Sequence, residues 1–240
     1  MTTAASDVVF QCTAVSSGYG DMTIIRGIDM EVRRGEIVTI LGKNGMGKTT
    51  LMKTIMGFLP PSSGSIVLFG EDVTGRDPQL LVERGVAYVP QEEAIFQDLT
   101  VEDNLRLGMR SDRHFKQGIS RIEPWFPVMV KRLRQKAGTL SGGEQKMLLM
   151  SRALVSDAKF LLIDEISEGL QPSMVVKIAE VLKGLAKEQG VSMFMAEQNI
   201  GLVDRLSDRV ALINTGTITE RRDLSDDGRG GHQLTELMRL

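Results

Sequence analysis

Residues 42–49 read Gly-Lys-Asn-Gly-Met-Gly-Lys-Thr, the complete pattern G-x-x-x-x-G-K-[ST]. A nucleoside triphosphate presents clustered negative charge. A loop that wraps it needs converging backbone N–H groups with no side chains in the way. Gly42, Gly45 and Gly47 supply that clearance, with Lys43, Asn44 and Met46 between them. Lys48 can reach the β- and γ-phosphates, and the Thr49 hydroxyl suits Mg²⁺, with Thr50 next in the chain. A second group is Phe160-Leu-Leu-Ile-Asp164, an apolar strand ending in an acid. Beside a phosphate loop, an acid at that end of a strand can hold Mg²⁺ through water. Glu165 follows at once, and strand alternation turns it the other way, where a carboxylate can orient or deprotonate an attacking water. A third group is Leu140-Ser-Gly-Gly-Glu-Gln145, which leads into a helical run ending near Leu154 and makes a second anion-directed helix N-terminus.

The surrounding elements suit these groups. Glu36–Leu41 is a short apolar strand before the glycine loop, and Thr50–Met56 is a helix after it with Leu51, Ile55 and Met56 on one face. Strand, glycine loop and helix N-terminus form an anion site by geometry. Residues 8–35 hold alternating segments with Gly27 and Gly35 among them, the pattern of antiparallel strands, and Gly64–Gly70 fits a further strand pair. Gly85–Pro90 reads as a buried strand stopped by proline. At Thr100 the character changes: Thr100 is an N-cap, with Asp103 at the third helical position and Val101–Leu107 as the helix. Residues 111–139 are charged, with Pro124 and Pro127 as breakers. Phe160–Ile163 and Val191–Ala196 return as buried parallel strands, with a helix between them whose apolar face is Val175, Ile178, Ala179, Leu182 and Leu185. The fold class is α/β with a mainly helical insertion. The stretch from Arg221 to Gly231 is charged and glycine-rich and reads as loose.

Bulk properties narrow the function. At 240 residues the chain can bury a sizeable core. A net charge of −2 and a pI near 5.8 argue against a general nucleic-acid binder. The lone Cys12 forms no intrachain disulfide, which fits a reducing compartment. No apolar run approaches the roughly 20 residues needed to span a bilayer, and the first residues lack the pattern of a signal peptide, so any link to a membrane is expected to run through a partner.

Taken in order, the phosphate loop, Ser141–Gln145 and Asp164-Glu165 resemble the ATP-binding subunits of ABC transporters, over nearly the whole chain. The resemblance implies a P-loop NTPase, RecA-like core with an antiparallel β subdomain and a helical subdomain that bears the signature. It implies one nucleotide-binding domain over 1–240: core and β subdomain at 1–90 and 157–220, helical part at 91–156, and a loose tail at 221–240. Ser141, Gly142, Gly143 and Glu144 would then bind the γ-phosphate of ATP held by the opposite subunit. Tyr19 would stack on adenine. Gln91 would sense Mg²⁺ and the attacking water, with Thr49 and Asp164 completing the metal set. Glu165 would be the catalytic carboxylate, aided by Lys48, Gln91 and Gln198. Ser167–Leu170 would cross the dimer interface.

Two positions depart from the family pattern. Ile166 stands where proline is common after the catalytic glutamate, so this loop lacks proline's fixed φ. Gln198 stands where most relatives carry a histidine that contacts the γ-phosphate, and glutamine donates a hydrogen bond but does not titrate at neutral pH. Glu197-Gln198-Asn199 together with Ser167-Glu-Gly-Leu170 is similar to one of the two ATPases of branched-chain amino acid uptake systems, or of their urea and amide relatives. The resemblance implies ATP and Mg²⁺ as cofactors and transmembrane permease subunits as partners. It also implies a second, different ATPase chain in a heterodimer, an indirect link to a periplasmic or extracellular solute-binding protein, and no nucleic acid. The location implied is peripheral, on the cytoplasmic face of the inner membrane. Two rivals are the ATPase of an exporter or lipid-extraction system and a soluble ABC scaffold that never meets a membrane. The basic run Lys131–Lys136 reads as a solvated helix face. Met52, Met56, Met193 and Met195 read as core, and Trp125 as either local core or partner-facing surface.

Overall fold

The computed structural model describes residues 7–91 and 95–224. Two sheets and a set of helices make up the molecule. Strands β1 (Val8–Tyr19), β2 (Met22–Arg33), β4 (Ser63–Leu68) and β5 (Glu71–Asp72) form an antiparallel sheet in the order β2-β1-β4-β5. Residues 64–70 therefore supply one strand and the turn into β5, where the sequence reading placed a strand pair. Strands β3 (Ile37–Leu41), β6 (Val86–Val89), β7 (Phe160–Asp164), β8 (Ser192–Glu197), β9 (Arg209–Asn214) and β10 (Thr217–Asp223) form the larger sheet, in the order β10-β9-β3-β8-β7-β6. All its pairings are parallel except β9–β10.

Every residue of β3, β7 and β8 is buried, as expected for central parallel strands covered on both faces. Their side chains alternate between two cores. Phe160, Leu162, Phe194 and Ala196 face the antiparallel sheet and α1 (Lys48–Ile55). There Phe10 of β1 stacks on Phe160 at 5.4 Å and lies 5.6 Å from Phe194, which pins one sheet to the other. Leu161, Ile163, Met193 and Met195 face the helices. Helix α1 buries Leu51, Met52, Thr50, Thr54 and Ile55, so it is enclosed on more than the single face its apolar pattern predicts. Cys12 lies in the same core, and burial pushes its thiol pKa up to about 12.

The remaining helices are α2 (Pro78–Glu83), α3 (Val101–Leu107), α4 (Phe115–Ile122), α5 (Pro127–Lys131), α6 (Gly142–Val155), α7 (Pro172–Gln189) and α8 (Ile200–Leu206). Helix α3 begins at the expected capping box: Asp103 N–H donates to Thr100 Oγ1 at 3.1 Å, and the Asp103 carboxylate accepts from the Thr100 N–H. Helix α7 buries Val175, Ile178, Ala179, Leu182 and Leu185 and ends on Gly190 with φ +65°. Trp125 packs over Gly184 of this helix, where an added Cβ would lie 2.3 Å from its ring, so it belongs to the joint between the helical part and α7. The four named methionines are all buried in the cores.

Two expectations change. The run Lys131–Lys136 is mostly turn after α5, and its Arg132 pairs with Glu144 at 2.9 Å. Strand β10 continues through Asp223, so residues 221–223 belong to the sheet, held by the β9 ladder from Arg221–Ala211 to Asp223–Arg209. The rest of the tail, 225–240, lies outside the described residues. No helix among the described residues is long and apolar enough to cross a membrane.

Candidate active site

Four neighbouring parallel strands, β3, β8, β7 and β6, end at one edge of the large sheet. Their carboxyl ends deliver, in that spatial order, the phosphate loop, Glu197–Asn199, Asp164-Glu165 and Gln91. Open α/β sheets bind ligands at this edge. The topology thus assembles residues more than a hundred positions apart in the chain.

The glycine loop is shaped by three different demands. Gly45 takes φ +81° and an added Cβ there would meet open space, so its requirement is conformational. Gly47, at φ +100°, forms the N-cap of α1 and lies against β2, 2.9 Å from Ile25 Cγ2 to an added Cβ. Gly42 is required by packing: an added Cβ would lie 2.7 Å from the carbonyl of Ile213 on β9. Clearance for phosphate is therefore not the reason for glycine at Gly42. Lys43, Asn44 and Gly45 are exposed. Met46 anchors the loop to the β9–β10 turn, its carbonyl accepting from Gly216 N–H at 3.1 Å. Thr50 is buried beneath α1 and stands away from solvent. Tyr19 is half exposed at the end of β1, where it pairs with Met22 of β2.

Lys48 is buried, and its ammonium donates to the carbonyls of Gly42 (2.6 Å) and Lys43 (2.9 Å). Its third partner is Glu165 Oε1 at 3.0 Å, a buried ion pair that links the phosphate loop to the end of β7. Glu165 has φ +45°, a strained backbone for a residue with a side chain. Strand β7 ends at Asp164, although the Glu165 N–H still donates to the Ala196 carbonyl of β8 at 2.9 Å. The different direction of Glu165 comes from this left-handed turn and not from strand alternation. Its other oxygen, Oε2, accepts from Gln91 Nε2 at 3.1 Å. Gln91 Nε2 also donates to Glu168 at 2.6 Å, and Lys146 of α6 donates to the Gln91 carbonyl at 2.6 Å. One glutamine therefore ties the carboxylate, the following loop and α6.

Asp164 is fully buried. Its Oδ2 accepts from the Tyr88 hydroxyl at 3.2 Å, while Oδ1 has no hydrogen-bond partner among the described residues. Burial raises its pKa, the Thr49 hydroxyl lowers it, and the neighbouring Glu165 charge raises it. An unpaired carboxylate oxygen beside a threonine hydroxyl fits a divalent cation. Gln198 is exposed and shares a cleft of about 270 Å³ with Glu165, Ser167 and Glu168.

Ser141, Gly142, Gly143 and Glu144 stand apart. They open α6, where the Glu144 N–H meets Ser141 Oγ at 3.4 Å and the Glu144 carboxylate accepts from the Ser141 N–H at 3.0 Å. These bonds hold the Glu144 carboxyl below its usual pKa, with Arg132 adding to the effect. No hydrogen bond or ion pair described joins them to residues 42–50. Gly142 is exposed, with open space where a Cβ would sit, and Gly143 faces Met174 of α7.

Sequence reasoning passed over Tyr88, Lys146 and the side chains of Ser167, Glu168 and Glu197. Tyr88 sits three residues before Gln91 and one strand over from Asp164, a pairing visible only once β6 is known to lie beside β7.

The family description "ABC transporter" matches residues 25–168, which span the phosphate loop, the α6 N-terminus and the end of β7. The chain belongs to the ABC ATPase family. Its cassette is an ATP-hydrolysing enzyme, and cassettes of this family dimerise and serve transmembrane permeases. A high-affinity branched-chain amino acid transport ATP-binding protein, BraG of Pseudomonas aeruginosa, is 39% identical over 85% of this chain and 88% of its own. The lipopolysaccharide export system ATP-binding protein LptB of Escherichia coli K12 is 30% identical, covering 84% of this chain and 85% of its own. A nucleotide-free ATP-binding cassette of an ABC transporter shares the fold, with a TM-score of 0.85 at 22% identity over 96% of this chain and 95% of its own.

Proposed function

We propose that this cassette powers an importer for branched-chain amino acids or similar small polar solutes. The observation that carries the solute class is the 39% identity to BraG, well above the 30% to the lipopolysaccharide export protein. The run Glu197-Gln198-Asn199 supports the same reading. The cassette is one nucleotide-binding domain, peripheral on the cytoplasmic face of the inner membrane.

Each role follows from the site. The N–H groups of residues 43–49 and the Lys48 ammonium bind the phosphates of ATP, and Tyr19 offers its exposed ring to the base. Thr49, Asp164 and Gln91 would hold Mg²⁺, which when bound neutralises phosphate charge. Lys48 exchanges its carboxylate partner for phosphate, and Glu165 is then left to accept the proton of the attacking water. Gln198 donates to the γ-phosphate. Ser141 and Gly142 open α6 toward the ATP of the opposite subunit, which accounts for their separation from the phosphate loop of their own chain. Hydrolysis is mostly positioning and charge stabilisation.

The permease docks at the joint between core and helical part. Exposed apolar residues lie there: Phe58 after α1, Val82 on α2 and Leu107 at the end of α3, with Arg110 donating to the Val82 carbonyl across the gap. The working dimer pairs this chain with a different ATPase, because Gln198 stands where most relatives carry a titratable histidine, and a partner with that histidine would give one stronger site per dimer. The test is native mass spectrometry of the complex purified through a tag on this chain. The expected mass contains permease subunits and one second ATPase. Two copies of this chain with no second ATPase and full turnover overturn the heterodimer, and a lone soluble chain overturns the transporter reading.

A further inference from the structure

One buried carboxylate has no place in the scheme above. Glu197, at the end of β8, is 1% exposed, yet no cation pairs with it among the described residues. Its Oε1 accepts the Ser167 N–H at 3.1 Å, and its Oε2 accepts the Ser167 hydroxyl at 2.7 Å and the Gln198 N–H at 3.2 Å. Burial raises its pKa, and the Ser167 hydroxyl and the backbone N–H groups of Ser167, Gln198 and Asn199 pull it back. A carboxylate removed from water is retained only where such bonds replace its hydration.

The two segments it joins are distant in sequence and both functional in the reading above, on which this inference rests. Ser167 follows Glu165 by two residues and begins the loop directed at the opposite subunit. Gln198 is the neutral donor directed at the γ-phosphate. The far side of the first loop is held as well, by Glu168 to Gln91.

We propose that Glu197 is a positioning residue that locks the Ser167–Leu170 loop to the Gln198 loop, so that the two hold Glu165 and Gln198 in one arrangement for hydrolysis. A displacement of Gln198 pulls on Glu197 through its N–H, and Glu197 pulls on Ser167 through two short bonds. Glu165 lies between Asp164 and this anchored segment, so its left-handed turn is held from the same point.

The test compares S167A, S167T, E197Q and the double variant S167A/E197Q in the complex purified through this chain. It reads kcat, KM for ATP, and binding of a non-hydrolysable ATP analogue. S167A removes only the hydroxyl bond, and S167T restores it. Loss of positioning should lower kcat by about 10- to 100-fold in S167A and E197Q while KM and analogue affinity stay within about twofold. S167T should recover most of the wild-type kcat. The double variant should be no slower than E197Q alone, because both changes break one link. Wild-type kcat in S167A, losses that multiply in the double variant, or analogue affinity falling in step with kcat would overturn the proposal. Should E197Q fail to fold, S167A against S167T decides alone. Wild-type complex that hydrolyses no ATP would instead overturn the functional reading beneath it.

Discussion

At the scale of single residues, the site holds its charges by mutual neutralisation. Lys48 and Glu165 are each almost wholly buried and meet at 3.0 Å. Removing one partner leaves the other as an unpaired buried charge, which is costly. The isosteric change Glu165→Gln also leaves the Lys48 ammonium without its carboxylate, but it creates no cavity and so is the informative one. It keeps the size of the side chain, but its single amide oxygen can face Lys48 or Gln91 and not both, and in the proposed mechanism it removes the group that accepts the water's proton. ATP binding should persist and hydrolysis should fall by about 10²–10⁴-fold, as for loss of a general base. Steady-state turnover and analogue titration on the same preparation check this, and near-normal turnover would assign the base elsewhere. The phosphate loop, Asp164 and Glu165 were legible from spacing, because glycines, lysine and a strand-ending acid leave fixed marks. Glu197 was not, because its meaning lies in a bond to Ser167, thirty residues earlier. Gly42 was legible as a glycine but for the wrong cause, since the neighbour that demands it sits on β9.

At the scale of elements, α6 and α7 give opposite expectations for glycine replacement. Gly142 opens α6 into empty space, so Gly142→Asp adds a charge without a clash. Thermal stability and binding of the ATP analogue to the isolated chain should stay at wild-type values, and hydrolysis by the assembled dimer should be abolished. Gly184 lies inside α7, under Trp125, where a Cβ would meet the ring at 2.3 Å. Gly184→Ala should therefore destabilise by about 1–3 kcal/mol despite alanine's higher helix propensity, as overpacking outweighs it. Urea denaturation measures the difference, and a stabilised variant would show that Trp125 swings aside freely. Helix existence was readable here from the Thr100 cap and the α7 periodicity. The end of β10 was not. Arg221, Arg222 and Asp223 look like tail by composition, but the β9 ladder supplies backbone partners that composition does not reveal.

At the scale of the whole molecule, no described hydrogen bond or ion pair joins the α6 N-terminus to the phosphate loop of its own chain. The strand ends gather the phosphate loop, Asp164, Glu165, Gln91 and Gln198, and α6 reaches this group through Lys146. In the proposed arrangement a second cassette supplies the α6 that completes this site. The links from Lys146 to Gln91, from Gln91 to Glu165 and Glu168, and from Glu197 to Ser167 connect the site to the helical part and to the Ser167–Leu170 loop. The order of motifs made the α/β class and the helical insertion readable. The phosphate-binding residues do not specify which solute is carried; the proposed solute class rests on the likeness to BraG and on the Glu197-Gln198-Asn199 run. The central claim is that ATP turnover here drives uptake. The most direct measurement is ATP-dependent accumulation of labelled leucine in vesicles carrying the complex purified through this chain, with the cassettes facing outward. Leucine should accumulate with ATP and the wild-type cassette, and accumulation should be lost with Glu165→Gln. ATP hydrolysis without accumulation of leucine, isoleucine or valine, or accumulation undiminished by Glu165→Gln, would contradict the account.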